Sequence, residues 1–207
     1  MLVLGFGLVS AAQDAKAKKI LDELSTKAKT FKTVTASFTK TTKSPKGATS
    51  ASKGKMYVKG KKYFVHTGEG IDIYCDSRSV WTHLTDDEEC YKSSVEDAED
   101  EDMVDPTKMF TIWEKDFKYR YVKETKSGDK TFDVIYLHPI KPADKKFHKI
   151  SIKIDRGSKE IKDFIIYGKD GSIDTYKITS FDTNKEIGDS KFKFPKAKYP
   201  DVEVEES

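Results

Sequence analysis

The sequence predicts a mainly β protein of the α+β class, built on one large antiparallel sheet that curls into a half-barrel. Residues 149–154 and other stretches of the second half alternate apolar and polar side chains with period two. Short apolar stretches separated by turn residues also follow one another quickly between residues 54 and 93. We therefore expect about eleven strands in an incomplete barrel, with short N-terminal and central helices closing its dry face.

The first elements are one helix and six strands. Apolar residues at positions 17, 20, 21, 24, 28 and 31 predict an amphipathic helix over 14–31. A strand is predicted over 34–39, and the Ser-, Thr-, Gly- and Pro-containing stretch 43–53 predicts a mobile loop. Further strands are predicted at 54–59, 62–67, 71–75, 80–84 and 89–93.

A helical interruption separates these strands from the second group. The acidic run 96–102 predicts a solvated loop, because it lacks the glycine-containing spacing of a calcium loop. Asp105 and Pro106 then predict the start of a short helix that carries Phe110 and Trp113. Later strands are expected around 132–137, 149–154, 161–167 and 173–181, with a hairpin turn at 169–172.

Composition limits both the size and the chemistry of the protein. A chain of 207 residues with 36% hydrophobic and 35% charged residues fits one domain with a modest core and a highly charged exterior. The net charge is only +3, from 38 basic and 35 acidic residues. Arginines are few, which argues against sequence-specific binding of nucleic acid. No feature demands an oligomer, so we expect a monomer.

The N-terminus has the form of a secretory leader. An apolar run over residues 2–9 precedes the small residues 10–12. We therefore expect residues 1–12 to be a residual signal peptide and residues 13–207 to form the single domain. Export would permit a disulfide, but Cys75 and Cys90 fall on the outer strands of a three-strand meander, about 9 to 10 Å apart. We expect two free thiols.

Catalytic and metal-binding patterns are missing from the sequence. It contains no nucleophile elbow, no zinc-protease helix motif, no paired-cysteine motif and no glycine-rich phosphate loop. Its four histidines are scattered without ligand spacing. We expect no enzyme, no catalytic residue, no metal and no cofactor. An enzyme acting on lipid or glycan would need paired carboxylates, with Asp72, Asp133 and Asp174 as the candidates.

Aromatic residues on the predicted strands and central helix either fill an ordinary core or line a pocket. Periodicity alone does not choose between these two hypotheses.

The order and spacing of the segments resemble the periplasmic outer-membrane lipoprotein carrier family, the LolA type. The resemblance runs from about residue 15 to 204 and rests on the segments 36–39, 54–59, 63–65, 75–81, 106–110, 152–178 and 191–195. That family folds as an incomplete antiparallel barrel with helices as a lid over an apolar cavity, and it carries triacylated lipoproteins through the periplasm.

The resemblance implies the ligand, the location and the partners. The protein would be a periplasmic carrier in a Gram-negative bacterium, binding lipoprotein acyl chains and ferrying them from inner to outer membrane. An inner-membrane lipoprotein-releasing ABC transporter would load it, and an outer-membrane acceptor is a further candidate partner. The implied cavity residues are Phe38, Tyr57, Phe64, Ile73, Trp81, Met109, Phe110, Trp113, Phe132, Val134, Ile152 and Phe164.

The lid latch departs from the family pattern. Many members have an arginine after the Val-Lys pair, whereas here Gly60 follows Lys59. We expect Lys59, Lys61 or Lys62 to act in its place. The alternative function is a periplasmic sensor or regulatory module on the same half-barrel, which binds lipid or peptide without transferring it.

Overall fold

The computed structural model describes residues 6–99 and 106–206, with side chains from residue 14 onward except that of Glu99. Its α-helices are α1 (Phe6–Ala28) and α2 (Val95–Glu99). Short 3₁₀ helices span Ile112–Glu114, Pro142–Asp144 and Asp189–Phe192. The strands of the described part are β1 (Thr33–Lys43), β2 (Thr49–Lys59), β3 (Lys62–His66), β4 (Ile71–Cys75), β5 (Ser79–Leu84), β6 (Glu89–Ser94), β7 (Phe117–Ser127), β8 (Lys130–Pro139), β9 (Phe147–Asp155), β10 (Glu160–Gly168), β11 (Ile173–Thr183) and β12 (Glu203–Glu206).

All these strands belong to one 12-stranded sheet. Its order is β12-β6-β5-β4-β3-β2-β1-β11-β10-β9-β8-β7. The consecutive pairs β2–β3 to β5–β6 and β7–β8 to β10–β11 are antiparallel. Strand β12 is an exception to the predicted antiparallel pattern, because it pairs with β6 in parallel.

Contacts divide the chain into two compact units that interleave along the sequence. Within the described residues, the first unit comprises 6–30, 41–50 and 110–177. The second comprises 31–40, 51–99, 106–109 and 178–206. Each unit has its own buried residues.

Four local differences separate the structure from the predicted elements. Helix α1 ends at Ala28, not at residue 31, and it includes part of the predicted leader. Threonine and serine are compatible with exposed strands, so β1 and β2 extend into the predicted loop 43–53 and leave only residues 44–48 as a turn. The acidic run begins inside α2, where Ser94 Oγ accepts from the Asp97 amide at 3.1 Å. The predicted central helix is replaced by turns and one 3₁₀ helix, and Asp105 lies outside the described residues.

The two cysteines are free and buried. Cys75 pairs with Val80, whereas Cys90 pairs with His83, three residues further along β5. Their side chains therefore lie on opposite faces of the sheet. Among the described residues, no helix has both the length and the apolar character needed to cross a bilayer.

Candidate functional site

The first unit has a dry sheet face made by neighbouring strands. Ile135 on β8 pairs with Ile152 on β9, which in turn pairs with Phe164 on β10. None of these side chains is more than 1% exposed. Neighbours two residues away along β8 and β9 share the same face and the same burial. We call this surface the isoleucine face, defined by Ile135, Leu137, Ile150, Ile152, Ile154 and Phe164.

Helix α1 presents a matching apolar stripe. Ala17, Leu21 and Leu24 recur at three- and four-residue steps and are 0%, 1% and 2% exposed. The helix packs against β7, the neighbour of β8 in the sheet. Near the middle of the helix, Lys16 Nζ lies 3.8 Å from the centre of the Tyr121 ring on β7.

Polar contacts hold α1 to the turn between β9 and β10. Glu23 Oε2 lies 2.5 Å from Lys159 Nζ, and Lys27 Nζ donates to the Ser158 carbonyl oxygen at 2.5 Å. Helix α1 is therefore held at two places, by its packing against β7 and by these contacts with the turn. The Glu23 and Lys159 side chains are more than one-third exposed, so their ion pair is a weak fastening in water.

Trp113 joins the central segment to the same helix. Its indole Nε1 donates to Ser25 Oγ at 3.0 Å, and both residues are buried. Beside this bond, Lys29 Nζ lies 2.7 Å from Glu114 Oε1. The N-terminal helix and the central segment, which are the two predicted lid elements, are therefore connected to each other within the first unit.

A buried carboxylate that is paired with an exposed arginine lies at one end of the isoleucine face. Asp133, 1% exposed, pairs with Ile154 and accepts hydrogen bonds from Arg156 Nε at 2.9 Å, Arg156 Nη2 at 2.5 Å and the Tyr121 hydroxyl at 3.0 Å. Burial acts to raise the pKa of Asp133, but the bonds from Arg156 and Tyr121 outweigh it and lower the pKa below its ordinary value. The charge of this carboxylate thus depends on Arg156.

The second unit carries a face of aromatic side chains. Tyr57 pairs with Phe64, Phe64 with Tyr74, and Tyr74 with Trp81 across β2 to β5. We call these four residues the aromatic face. The C-terminal segment 187–204 packs onto it through Ile187, Phe192, Phe194, Tyr199, Val202 and Val204. The aromatic face is therefore covered by the chain itself.

The structure divides the predicted cavity residues of the first unit between two faces. Ile152 and Phe164 belong to the isoleucine face, and Trp113 contacts α1; Phe110 is buried in the same unit. Val134 lies on the other side of β8, because it pairs with Lys153. Phe132 is on that side too, with Lys153 Nζ 4.5 Å from its ring centre.

The predicted residues of the second unit are divided in the same way. Tyr57, Phe64 and Trp81 lie on the aromatic face, whereas Ile73 points to the opposite side with its partners Val65 and Thr82. Phe38 is also on that opposite side, since its ring covers Gly54, where an added Cβ would come within 2.2 Å of the ring. Met109 is half-buried.

The sequence of the chain is similar to that of a known protein family. Residues 29–195 match the family described as outer membrane lipoprotein carrier protein LolA. The chain belongs to the LolA family. The predicted family and the predicted fold class, a mainly β protein of the α+β class, are both confirmed.

Two solved structures share the fold at low sequence identity, and a third is more distant. An uncharacterized conserved protein from Thermus thermophilus is 13% identical with a TM-score of 0.61, over 93% of this chain and 99% of that one. A DUF1329 family protein from Desulfovibrio piger is 9% identical with a TM-score of 0.50, over 87% and 97%. A LolA superfamily protein from Nitrosomonas europaea is 12% identical with a TM-score of 0.47, over 86% and 97%. A search of curated protein sequences gives no match.

The predicted latch lysines of this LolA-family chain contact its C-terminal segment. Lys59 Nζ lies 2.8 Å from Asp189 Oδ1 and donates to the Ile187 carbonyl oxygen at 3.0 Å. Lys62 Nζ lies 2.7 Å from Asp189 Oδ2. Lys61 is exposed, and its carbonyl oxygen accepts a hydrogen bond from Cys75 Sγ at 3.7 Å. Two lysines thus fasten the segment that covers the aromatic face.

Replacing the carboxylate in Asp189→Asn is expected to loosen this segment. Hydrogen bonds from Lys59 and Lys62 lower the pKa of Asp189 to about 2. The contact of Asp189 with these two lysines, here called the clamp, is therefore fully formed above the ordinary aspartate pKa and is lost as the pH falls through about 2. Hydrogen exchange at neutral pH should become faster in residues 187–204 and stay unchanged in β8 and β9. Unchanged exchange in 187–204 would show that the clamp does not hold the segment.

A buried histidine lies between the aromatic face and its cover. His83 is 1% exposed, with its ring 5.2 Å from that of Phe194 and 4.6 Å from that of Tyr199. Its Nδ1 has no hydrogen-bond partner among the described residues. Burial lowers the pKa of His83, opposed by the charge of Asp72 and reinforced by that of Lys198.

This histidine predicts acid sensitivity of folding. Because the folded pKa lies below the unfolded value of 6.5, the unfolded chain binds the proton first and stability decreases as the pH falls below 6.5. The free energy of unfolding in urea, measured above and below this pH, should decrease less in His83→Phe than in the wild type. Equal decreases in both proteins would contradict this assignment.

The three carboxylates considered for catalysis each have a separate partner. Asp72 Oδ1 lies 2.7 Å from His66 Nδ1, Asp174 accepts from Thr42 Oγ1 at 2.5 Å, and Asp133 is held by Arg156. Within residues 6–99 and 106–206, no group of three or more His, Cys, Asp or Glu side chains is placed to hold a metal ion.

Proposed function

We propose that the protein is a periplasmic carrier whose isoleucine face binds the acyl chains of lipoproteins, with α1 as the lid. The observation that carries this proposal is a continuous dry sheet face in the same unit as a helix with a buried apolar stripe, which partly exposed ion pairs fasten to its neighbours. Membership of the LolA family supports the same class of ligand. The function proposed is binding and transfer, not catalysis.

The energetics suit a reversible carrier. Burying an acyl chain gains about 0.8 kcal/mol for each methylene removed from water. In this proposal the buried stripe of α1, Ala17, Leu21 and Leu24, covers the isoleucine face when no acyl chain is bound. An acyl chain that replaces them exchanges one apolar contact for another, so loading and release need not differ greatly in free energy.

The fastenings of α1 suit a lid that opens. The Glu23–Lys159 and Lys29–Glu114 pairs are partly exposed, and each such pair contributes about 1 kcal/mol or less. Only the Trp113–Ser25 bond is buried among these contacts. An open surface groove of about 850 Å³ runs along α1 beside Lys159.

The partners we propose are those of a carrier between two membranes. Triacylated lipoproteins would be the cargo, and an inner-membrane lipoprotein-releasing ABC transporter would supply it. An acceptor at the outer membrane is a further candidate partner.

Release of lipoprotein from spheroplasts tests this function. The protein without residues 1–12 is incubated with energised spheroplasts of the source bacterium, and the supernatant is examined for lipoprotein bound to it. We expect acylated lipoprotein in a complex with the protein. As a matched control, a triacylated lipopeptide should bind to the purified protein, and the same peptide without acyl chains should not.

Two results would overturn the carrier proposal. Equal binding of acylated and unacylated peptide would exclude an acyl-chain site. Binding of the lipopeptide without any release, under conditions in which the loading machinery is active, would favour the sensor function, in which ligand is bound but not transferred.

A further inference from the structure

One end of the first unit exposes a large apolar side chain. Ile140, directly after β8, is 53% exposed, and Tyr91 is the other exposed large hydrophobic residue among the described residues. The Ile140 amide donates to the Asp116 carbonyl oxygen at 2.8 Å, and this bond joins the end of β8 to the start of β7. Ile140 is thus held in an exposed position by the backbone.

The loop that follows Ile140 is supported by the neighbouring hairpin. The Lys169 amide donates to the Lys146 carbonyl oxygen at 2.9 Å. Lys169 Nζ also donates to the carbonyl oxygens of Pro142 and Ala143. These bonds join the β8–β9 loop to the β10–β11 turn, so the end of the unit is an ordered platform.

Basic and tyrosine side chains lie near Ile140, on the face of the sheet opposite the isoleucine face. Arg120 pairs with Tyr136 and Lys118 with His138, next to Ile140 along β8. Lys149 Nζ lies 4.4 Å from the Tyr136 ring centre and 3.8 Å from that of Tyr167. We call this surface the Ile140 patch, defined by Ile140, Tyr136, Tyr167, Lys118, Arg120, Lys141, Lys146, Lys149 and Lys169.

Acidic residues near the patch are fewer than the basic ones. Asp170 is engaged by the Ser172 amide and hydroxyl within its own turn. Asp144 lies in the β8–β9 loop, and Asp116 precedes β7. The patch therefore keeps a net positive charge.

We propose that the Ile140 patch docks the protein on the surface of an anionic lipid bilayer. A membrane interface has an apolar layer, then an amphipathic layer, then anionic headgroups. The patch matches these layers with the exposed Ile140 side chain, two tyrosines with polar ends and a surrounding set of lysines. An acidic protein would need only the charges, whereas a bilayer also uses Ile140. This docking site is separate from the isoleucine face and does not rest on the proposed cargo.

Co-sedimentation with vesicles tests the proposal. We expect the wild-type protein to bind phosphatidylcholine vesicles that contain phosphatidylglycerol, to bind pure phosphatidylcholine weakly, and to be released by salt. Ile140→Glu and Lys141→Glu should each lower the partition coefficient about tenfold or more, through lost apolar burial and reversed charge respectively. Tyr91→Glu and Lys126→Glu, which place glutamate at exposed apolar and basic positions outside the patch, should bind nearly as the wild type does.

The outcomes separate the possible occupants of the patch. Failure of the wild type to bind anionic vesicles would overturn the proposal, as would equal binding by the patch and control variants. If the protein binds polyglutamate through the patch but does not bind vesicles, the proposal is wrong and the partner of the patch is an acidic protein. Circular dichroism of each variant shows whether a loss reflects the patch or unfolding.

Discussion

A protein whose α1 is cross-linked to the β9–β10 turn is expected to lose acyl-chain binding. The variant is Glu23→Cys with Lys159→Cys, joined by a reducible bismaleimide, since the native side chains at these positions are in contact. If acyl chains reach the isoleucine face by displacing α1, a tethered helix excludes them. The affinity for a triacylated lipopeptide should fall at least about a hundredfold, equivalent to about 2.7 kcal/mol.

The native thiols allow this experiment without further substitutions. Cys75 and Cys90 are each 1% exposed, and burial raises the pKa of Cys90 to about 11, so neither competes for the reagent. Reduction of the linker should restore binding, and each single-cysteine variant capped with a monofunctional maleimide should bind normally. Full binding by the tethered protein would place the acyl chains elsewhere.

Arg156→Ala is expected to give the largest loss of stability outside the aliphatic core. Removing the guanidinium leaves the Asp133 carboxylate, 1% exposed, with only the Tyr121 hydroxyl bond. Breaking a fully buried pair costs about 3 to 5 kcal/mol. Because water reaches Arg156, we expect about 2 to 3 kcal/mol in the free energy of unfolding, measured in urea.

A neighbouring carboxylate provides the matched control. Glu124 Oε2 accepts from Arg156 Nη2 at 2.6 Å but is 40% exposed, so Glu124→Gln should cost about 0.5 kcal/mol or less. Asp133→Asn in the Arg156→Ala background should recover part of the loss, since it removes the unpaired charge. A loss in Arg156→Ala no larger than that in Glu124→Gln would contradict the account.

Local patterns in the sequence predict most elements of the fold. The 3.6-residue period of α1 and the alternation in β9 each identify a buried side, because adjacent positions differ sharply in polarity. Strand β8 lacks this contrast: Phe132 and Val134 on one face are as apolar as Ile135 and Leu137 on the other. The pairing of β8 with β9 decides which face is dry, and a local sequence pattern does not determine strand pairing.

Side-chain partners far apart in sequence were not predictable in the same way. The bond from Trp113 to Ser25 and the pair of Arg156 with Asp133 depend on tertiary placement. The cover on the aromatic face is another long-range feature. Phe192 and Phe194 alternate as strand residues do, yet that signal does not reveal that they pack beside Phe64 and Tyr74.

Contact quenching of tryptophan by brominated acyl chains tests the central claim most directly. The chain has two tryptophans, and Trp113 contacts α1 whereas Trp81 lies on the aromatic face. Each is studied alone, in Trp81→Phe and in Trp113→Phe, with brominated and unbrominated triacylated lipopeptide. We expect the brominated ligand to quench Trp113 strongly and to leave Trp81 unaffected. Quenching of Trp81 with no effect on Trp113 would contradict the account and place the acyl chains on the aromatic face.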